Sequence, residues 1–191
     1  MDLVILFVSA AIVNNFVLTQ FLGICPFVGV SKKIESALGM GLAVIFVITL
    51  ASAVAFFAFR FILVPLNLEY LHIILFIIIV ASLVQFIELF LKKSSPSLYN
   101  ALGAYLPLIS TNCAIMGAIL LNMNNDHNFI SSVIFSLGAG VGFLIAIVIF
   151  AGIRERLELN NVPKIFQGFP IALVAAGLMS IAFLGFTGLL Q

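Results

Sequence analysis

The sequence predicts an all-α integral membrane protein, with six transmembrane helices arranged as an inverted 3+3 repeat. Hydrophobic residues make up 64% of the chain and charged residues only 8%, and the mean hydropathy is +1.34, far from the values of soluble domains. Because a helix needs about 20 apolar residues to cross the hydrocarbon core, 191 residues suffice for a single transmembrane domain. No room remains for a soluble catalytic domain, and the net charge of +1 indicates no nucleic-acid partner.

An internal repeat is the second observation behind this fold class. Residues 18–29 (LTQFLGICPFVG) and residues 106–117 (LPLISTNCAIMG) carry leucine, cysteine and glycine at the same spacing. Cys25 and Cys113, which are the two cysteines of the chain, occupy equivalent positions. The repeat divides the domain 1–191 into a first half of about residues 1–96 and a second half of about residues 97–191.

Helix one is predicted from about Leu3 into the region of Cys25, and its second part is irregular. Its polar side chains are Asn14, Asn15, Thr19 and Gln20. Helix-weakening residues follow at Gly23, Pro26 and Gly29. Broken backbone at membrane depth is tolerated only where it is buried in protein or lines a cavity. We therefore expect this segment to face the interior of an assembly, with the four polar side chains as possible lining of a site.

Helices two and three complete the first half. Helix two is predicted over about residues 37–59 and helix three over about residues 70–91, with a turn between them. Glu88 on helix three is a candidate for an ion path, because ionisable residues inside a membrane often have such roles. It lies one turn before Lys92, however, and this spacing favours an interfacial ion pair.

Helix four, predicted over about residues 99–121, repeats the irregularity of helix one. Pro107, Thr111 and Asn112 lead into Cys113. We therefore predict that helices one and four are both broken near the bilayer midplane, with Thr111 and Asn112 as further polar lining.

Helices five and six close the second half, over about residues 129–153 and 168–190. Helix five contains Gly138 and Gly142 in a small-xxx-small pattern. The glycines lack the spacing of a nucleotide-binding loop and no strand precedes them, so the pattern predicts close helix packing.

The basic residues indicate the orientation of the chain. Except for Arg60, they follow helices one, three and five, at Lys32, Lys33, Lys92, Lys93, Arg154, Arg156 and Lys164. By the positive-inside rule these connections are cytoplasmic, and both termini then lie on the outer side. Because each half has three helices, the second half enters the membrane from the opposite side. The repeat is therefore inverted, with a pseudo-two-fold axis in the membrane plane.

The two cysteines have three interpretations at this point. Each can be a buried packing residue, the two can form a disulfide, which is more typical of secreted chains, or they can bind a metal that prefers thiolates. Equivalent positions of an inverted repeat meet near its axis, so we expect Cys25 and Cys113 to approach each other. An iron–sulfur cluster as a rule needs four ligands. If these cysteines hold iron, another polypeptide must supply the other two, since His72 and His127 are expected near the membrane surface.

Two stretches resemble a known family. Residues 22–33 (LGICPFVGVSKK) and residues 106–117 are similar to signature stretches of the A subunit of the Rnf electron-transport complex. The related E subunit of the sodium-pumping NADH:quinone oxidoreductase is also similar. The likeness extends over essentially the whole chain, including the six-helix pattern.

This resemblance implies a partner and a cofactor. The partner would be a homologous subunit of opposite orientation, the E subunit of Rnf, within a complex of other Rnf subunits and membrane lipid. Cys25 and Cys113 would supply two of the four thiolates of a [2Fe–2S] cluster at the interface of the two subunits. The complex would move electrons between reduced ferredoxin and NAD in the bacterial inner membrane and couple this transfer to Na⁺ or H⁺ translocation.

An alternative function is a small inverted-repeat secondary transporter or channel without a redox centre. It predicts that transport activity persists when both cysteines are replaced by serine.

Overall fold

The computed structural model describes residues 3–13, 15–66, 69–94, 106–125, 128–160, 163 and 166–185, and within these ranges it is all-helical. Three helices there are long and apolar enough to cross a membrane: Ile34–Leu63, His72–Leu89 and Phe129–Glu158. Two shorter apolar helices are Leu3–Val13 and Phe169–Leu184. The predicted all-α membrane class is therefore confirmed, whereas the six-span inverted repeat remains a prediction.

The helices are labelled in chain order. They are α1 (Leu3–Val8), α2 (Ile24–Val30), α3 (Ile34–Ala58), α4 (His72–Ser94), α5 (Leu106–Ser110), α6 (Cys113–Asn124), α7 (Phe129–Glu158) and α8 (Phe169–Leu184). Two of them continue in other geometries: α1 into a π-helical stretch Ser9–Val13, and α3 into a π-helical stretch Phe59–Leu63 and the turn Val64–Leu66. A 3₁₀ turn, Glu69–Leu71, precedes α4.

Helix one is broken as predicted, but the break lies before Cys25: Pro26 and Gly29, which were expected to disrupt the helix, lie within α2, where proline is tolerated in the first turn. After Val13 the helix ends, residues 15–23 form turns, and α2 begins at Ile24. Two residues of the break have positive φ, Phe21 at 56° and Gly23 at 84°. A bulky residue in this left-handed region is rare, so the break is a specific conformation and differs from a frayed helix end.

Helix four is also broken, but more briefly. The helix α5 ends at Ser110, and α6 begins at Cys113. Thr111 and Asn112 between them are not helical. The Asn112 side chain caps α6, because its Oδ1 accepts a hydrogen bond from the Ala114 N–H at 3.0 Å.

Glycines bring α7 against its neighbours. A Cβ added at Gly142 would lie 2.6 Å from the carbonyl oxygen of Ala11, and one at Gly138 would lie 2.8 Å from that of Phe7. On another side of α7, a Cβ at Gly140 would lie 3.0 Å from the Cα of Ile45 on α3. The prediction of a close-packing face on helix five is therefore confirmed.

The end of helix five differs from the prediction. The sequence predicts that it ends at Ile153 and places the following charged residues in a loop, but α7 continues to Glu158. Arg154 is buried within this last part, with 8% of its surface exposed. A charge can lie there because backbone and hydroxyl oxygens of the α2 region bind it, as described below.

Some predicted features lie outside the described residues. These are Asn14, the start of helix four in residues 95–105, His127, Lys164, and the end of helix six in residues 186–191.

Candidate cysteine site

The two breaks are in contact at a cysteine. The backbone N–H of Gly23 donates a hydrogen bond to Sγ of Cys113 at 2.9 Å, although the two residues are 90 positions apart. Gly23 immediately precedes α2, which carries Cys25 as its second residue. The irregular segments that the repeat relates in sequence are thus neighbours in space.

Gly23 is suited to this contact in two ways. Its φ of 84° lies in the left-handed region, which a residue without a Cβ adopts at little cost. A Cβ at this position would lie 3.1 Å from the Cβ of Ala114 and 3.2 Å from the ring of Phe143. The backbone N–H can therefore reach the sulfur because no side chain keeps the two segments apart.

Cys113 is the first residue of α6 and is partly exposed. A helix N-terminus carries partial positive charge from its unpaired N–H groups, and this charge stabilises an anion. The Gly23 N–H adds a second source of positive potential at the sulfur. Cys113 therefore lies at a helix start, with its sulfur within hydrogen-bond distance of the Gly23 N–H.

Cys25 is exposed at the surface, and both cysteines are free thiols. Its exposure excludes the interpretation that Cys25 is a core packing residue of this subunit. The two free thiols also exclude a disulfide between Cys25 and Cys113 in this structure.

The donor set of this region fits part of a metal site. Within the described ranges, no group of three or more histidine, cysteine, aspartate or glutamate residues could hold a metal ion. Two cysteines at the starts of α2 and α6, with an N–H on one sulfur, fit two ligands of an iron–sulfur cluster, which as a rule has four. The missing donors would have to come from outside this part of the chain.

Two of the predicted lining residues bind backbone in the first break. Asn15 donates from Nδ2 to the carbonyl oxygen of Gly142 at 2.8 Å and accepts the Val17 N–H at 3.1 Å. Thr19 donates from Oγ1 to the carbonyl oxygen of Asn15 at 2.8 Å. These bonds satisfy polar groups that the missing helix leaves unpaired.

The other predicted lining residues have varied environments. Gln20 and Thr111 are exposed, and Thr111 donates from Oγ1 to the carbonyl oxygen of Pro107 at 3.0 Å. Asn112 is 1% exposed, and in the described part of the chain its Nδ2 has no hydrogen-bond partner. An ion path along these residues remains a prediction.

Arg154 is a residue that the sequence reasoning did not find. Its Nη1 donates to the carbonyl oxygen of Val28 at 2.7 Å and to Oγ of Ser31 at 2.9 Å. Arg154 and Arg156 are two positions apart, so they point to different sides of a helix. This spacing indicates that at most one of the two arginines faces the core. It is the sequence signal that could have marked Arg154 as a candidate buried residue.

Fold and site together define a helical membrane protein whose two cysteines lie at breaks between helices. Residues 3–190 match the family described as "Rnf-Nqr subunit, membrane protein". The chain belongs to this family.

Curated relatives are similar to this chain over nearly the full length of both sequences. A protein of Acetobacterium woodii, named as the A subunit of a Na(+)-translocating ferredoxin:NAD(+) oxidoreductase complex, is 60% identical over 189 residues, which is 99% of this chain and 98% of the relative. Two further relatives are named as A subunits of an ion-translocating oxidoreductase complex. That of Edwardsiella ictaluri is 56% identical over 100% of this chain and 98% of its own length, and that of Vibrio atlanticus is 53% identical over 100% and 99%.

Proposed function

We propose that this chain is the A-type membrane subunit of an ion-translocating ferredoxin:NAD oxidoreductase complex of the Rnf type. It carries electrons across the bacterial inner membrane through a [2Fe–2S] cluster and works only within the complex. Transfer is coupled to Na⁺ or H⁺ translocation. The names of the relatives support the complex, and the cysteine site supports the route of the electron.

The contact between Gly23 and Cys113 carries this proposal. It joins the start of α2 to the start of α6, so both cysteines belong to one region of the fold. Cys25 and Cys113 hold iron through their sulfurs, and a homologous subunit of opposite orientation, of the E type, supplies the other two thiolates. The exposure of Cys25 supports this arrangement, because a ligand shared between subunits must reach the surface of each.

The cluster, when bound, supplies a site that accepts and releases one electron. Since the hydrocarbon layer is about 30 Å thick, a carrier near its centre divides the crossing into two steps of about 15 Å. The Gly23 N–H stabilises negative charge on Cys113, and hydrogen bonds to sulfur are one means by which a protein sets a reduction potential. The breaks in helices one and four are the segments expected to respond to a change of charge at the site.

The first experiment compares the purified complex with Cys25→Ser and Cys113→Ser variants, prepared without oxygen. We expect each variant to assemble and to lack one two-iron centre, seen as a lower iron content and as loss of one paramagnetic signal in the reduced state. Ser82→Ala, at an exposed position of α4, is the control, and we expect it to retain the wild-type iron content and the paramagnetic signal.

An unchanged iron content and signal in both cysteine variants would contradict the shared cluster. The chain would then be a transporter or channel subunit without a redox centre, provided that ion transport also persisted.

A further inference from the structure

We propose that Arg154 is a positioning residue for the cysteine site, which holds the carboxyl end of α2 and thereby fixes the place of Cys25. This inference rests on the proposed role of Cys25 as an iron ligand. Arg154 is buried and charged, and it is not one of the proposed iron ligands.

The environment of Arg154 indicates a specific task. A charged side chain in a membrane protein is costly to bury, yet Arg154 is 8% exposed. The two N–H groups of its Nη1 point to one short segment, with bonds to the Val28 carbonyl at 2.7 Å and to Ser31 Oγ at 2.9 Å. Val28 lies in the last turn of α2, and Ser31 is its C-cap. Cations are stabilised at this end of a helix, where carbonyl groups lack intrahelical partners.

Aromatic packing holds the same two elements together. The Arg154 guanidinium lies over the ring of Phe150, 5.9 Å from its centre, which is within the range of a cation–π interaction. Phe150 in turn stacks on Phe27 of α2, with ring centres 4.3 Å apart. The last turns of α7 therefore contact α2 through a charged and an aromatic side chain, both buried.

Glu155 binds the chain that follows α2. Its Oε1 accepts a hydrogen bond from the N–H of Ile34 at 3.2 Å, and Ile34 is the first residue of α3. Arg154 thus binds the carbonyl end of one helix, and its neighbour binds the N–H end of the next, each with the sign of charge that the helix end favours. Both ends of the connection from α2 to α3 are attached to α7.

Cys25 lies between two attachment points of α2. Gly23 on one side is bonded to Cys113, and Val28 on the other side is bonded to Arg154. Val28 is three residues after Cys25, which is about 4.5 Å along a helix axis. Four of the 7 residues of α2 are buried, so packing places the helix, and the bond to Arg154 fixes its carboxyl end. Loss of that bond frees the carbonyl of Val28 and loosens the helix that carries Cys25.

The test uses the whole complex, purified without oxygen, with the variants Arg154→Gln, Arg154→Lys and Ser31→Ala. Arg156→Gln, at an exposed position two residues along, is the matched control. Two properties are measured: the line shape of the reduced-cluster signal, and the rate at which a water-soluble ferrous chelator removes iron. Neither depends on turnover.

We expect Arg154→Gln to broaden the signal and to raise the rate of iron removal by about 10-fold, the lower end of the effect on metal affinity when an outer partner of a ligand is lost. Arg154→Lys keeps the charge but places a compact ammonium on a shorter stem, which reaches both oxygens less well, so its effect should be intermediate. Ser31→Ala removes one bond and should cause a smaller change in the same direction, whereas Arg156→Gln should match the wild type.

The outcomes separate the two proposals. If the Arg154→Lys and Ser31→Ala complexes both keep the wild-type line shape and the wild-type rate of iron removal, the positioning role is overturned. This holds even if Arg154→Gln fails to assemble. If the wild-type complex shows no cluster signal that is lost in Cys25→Ser, the proposed function is overturned, and the positioning role is overturned with it.

Discussion

Gly23 meets two demands that no other residue type meets together. Its positive φ turns the chain into α2, and its missing side chain lets its N–H approach Cys113 between Ala114 and Phe143. Asn15 has a comparable role on the other side of the break, since its amide binds the Gly142 carbonyl. At the scale of single residues, the first break is thus held by side chains and backbone of the second half of the chain.

Replacing Gly23 by alanine should therefore disturb the cysteine site. A left-handed conformation costs an alanine roughly 1–2 kcal/mol, and the new Cβ would be crowded at 3.1 Å by Ala114. We expect Gly23→Ala to lower the denaturation temperature of the complex and its iron content. The measurements are thermal denaturation in detergent and iron analysis.

Gly152→Ala provides the control for that change. A Cβ at Gly152 in α7 would meet no atom within 4 Å, and alanine is the better helix former, so stability should be equal or higher. A Gly23→Ala complex with wild-type iron content and stability would show that the Gly23 conformation is not required.

A cluster of polar side chains connects three helices at the scale of secondary structure. Asn122 of α6 donates from Nδ2 to Ser52 Oγ of α3 at 2.9 Å, to Ser136 Oγ of α7 at 3.0 Å, and to the Ser132 carbonyl of α7 at 3.3 Å. All four residues are buried. The cluster thus fixes α6, which begins with Cys113, against the two longest helices of the described chain.

Asn122→Leu should weaken this connection. The substitution leaves the Ser52 and Ser136 hydroxyls without their common donor, which costs about 1–2 kcal/mol on the scale of buried unsatisfied groups and of hydrogen bonds between membrane helices. We expect a lower denaturation temperature of the complex. Asn124→Leu, the same change at an exposed position of α6, should have little effect, and equal loss in both variants would contradict a specific role for the cluster.

The whole molecule is organised around α7, which contacts elements from both halves. It packs against α1 and α3 through glycines, binds α2 through Arg154, and binds α6 through the Asn122 cluster. The basic residues predict the orientation of the molecule in the membrane, with the connections after helices one, three and five on the cytoplasmic side.

That orientation predicts a labelling pattern in intact cells. A cysteine introduced for Asn125, an exposed residue after α6, should react with a membrane-impermeant maleimide applied outside. A cysteine introduced for Lys93, an exposed residue near the end of α4, should react only after the membrane is opened. The wild-type chain gives the background from Cys25 and Cys113, and the reverse pattern would invert the proposed topology.

Much of the architecture could be predicted from residue types. Polar residues and a glycine before Cys25, and a proline and polar residues before Cys113, predicted the two breaks, and the spacing of Gly138 and Gly142 predicted close packing. These are local signals, because each acts through the conformation or size of its own residue. Their agreement with the structure is therefore expected on physical grounds.

The features that were missed depend on contacts between distant segments. Hydropathy predicts a loop at Arg154 because it depends on residue type alone. The oxygens at the end of α2 that bind the charge are known only from the structure. In the same way, composition marks Asn15 as polar but cannot tell an ion path from a bond to the Gly142 carbonyl.

The attachment of the first break to α7 has a consequence for biosynthesis. Asn15 and Gly142 are 127 positions apart, Val28 and Arg154 are 126 apart, and Ile34 and Glu155 are 121 apart. At about 5–20 residues per second of synthesis, the first segment waits roughly 6 to 25 seconds for its partners to leave the ribosome. During this interval the insertion machinery or lipid headgroups must shelter its unpaired polar groups, so the amino-terminal segment should complete its contacts only after α7 has been synthesised.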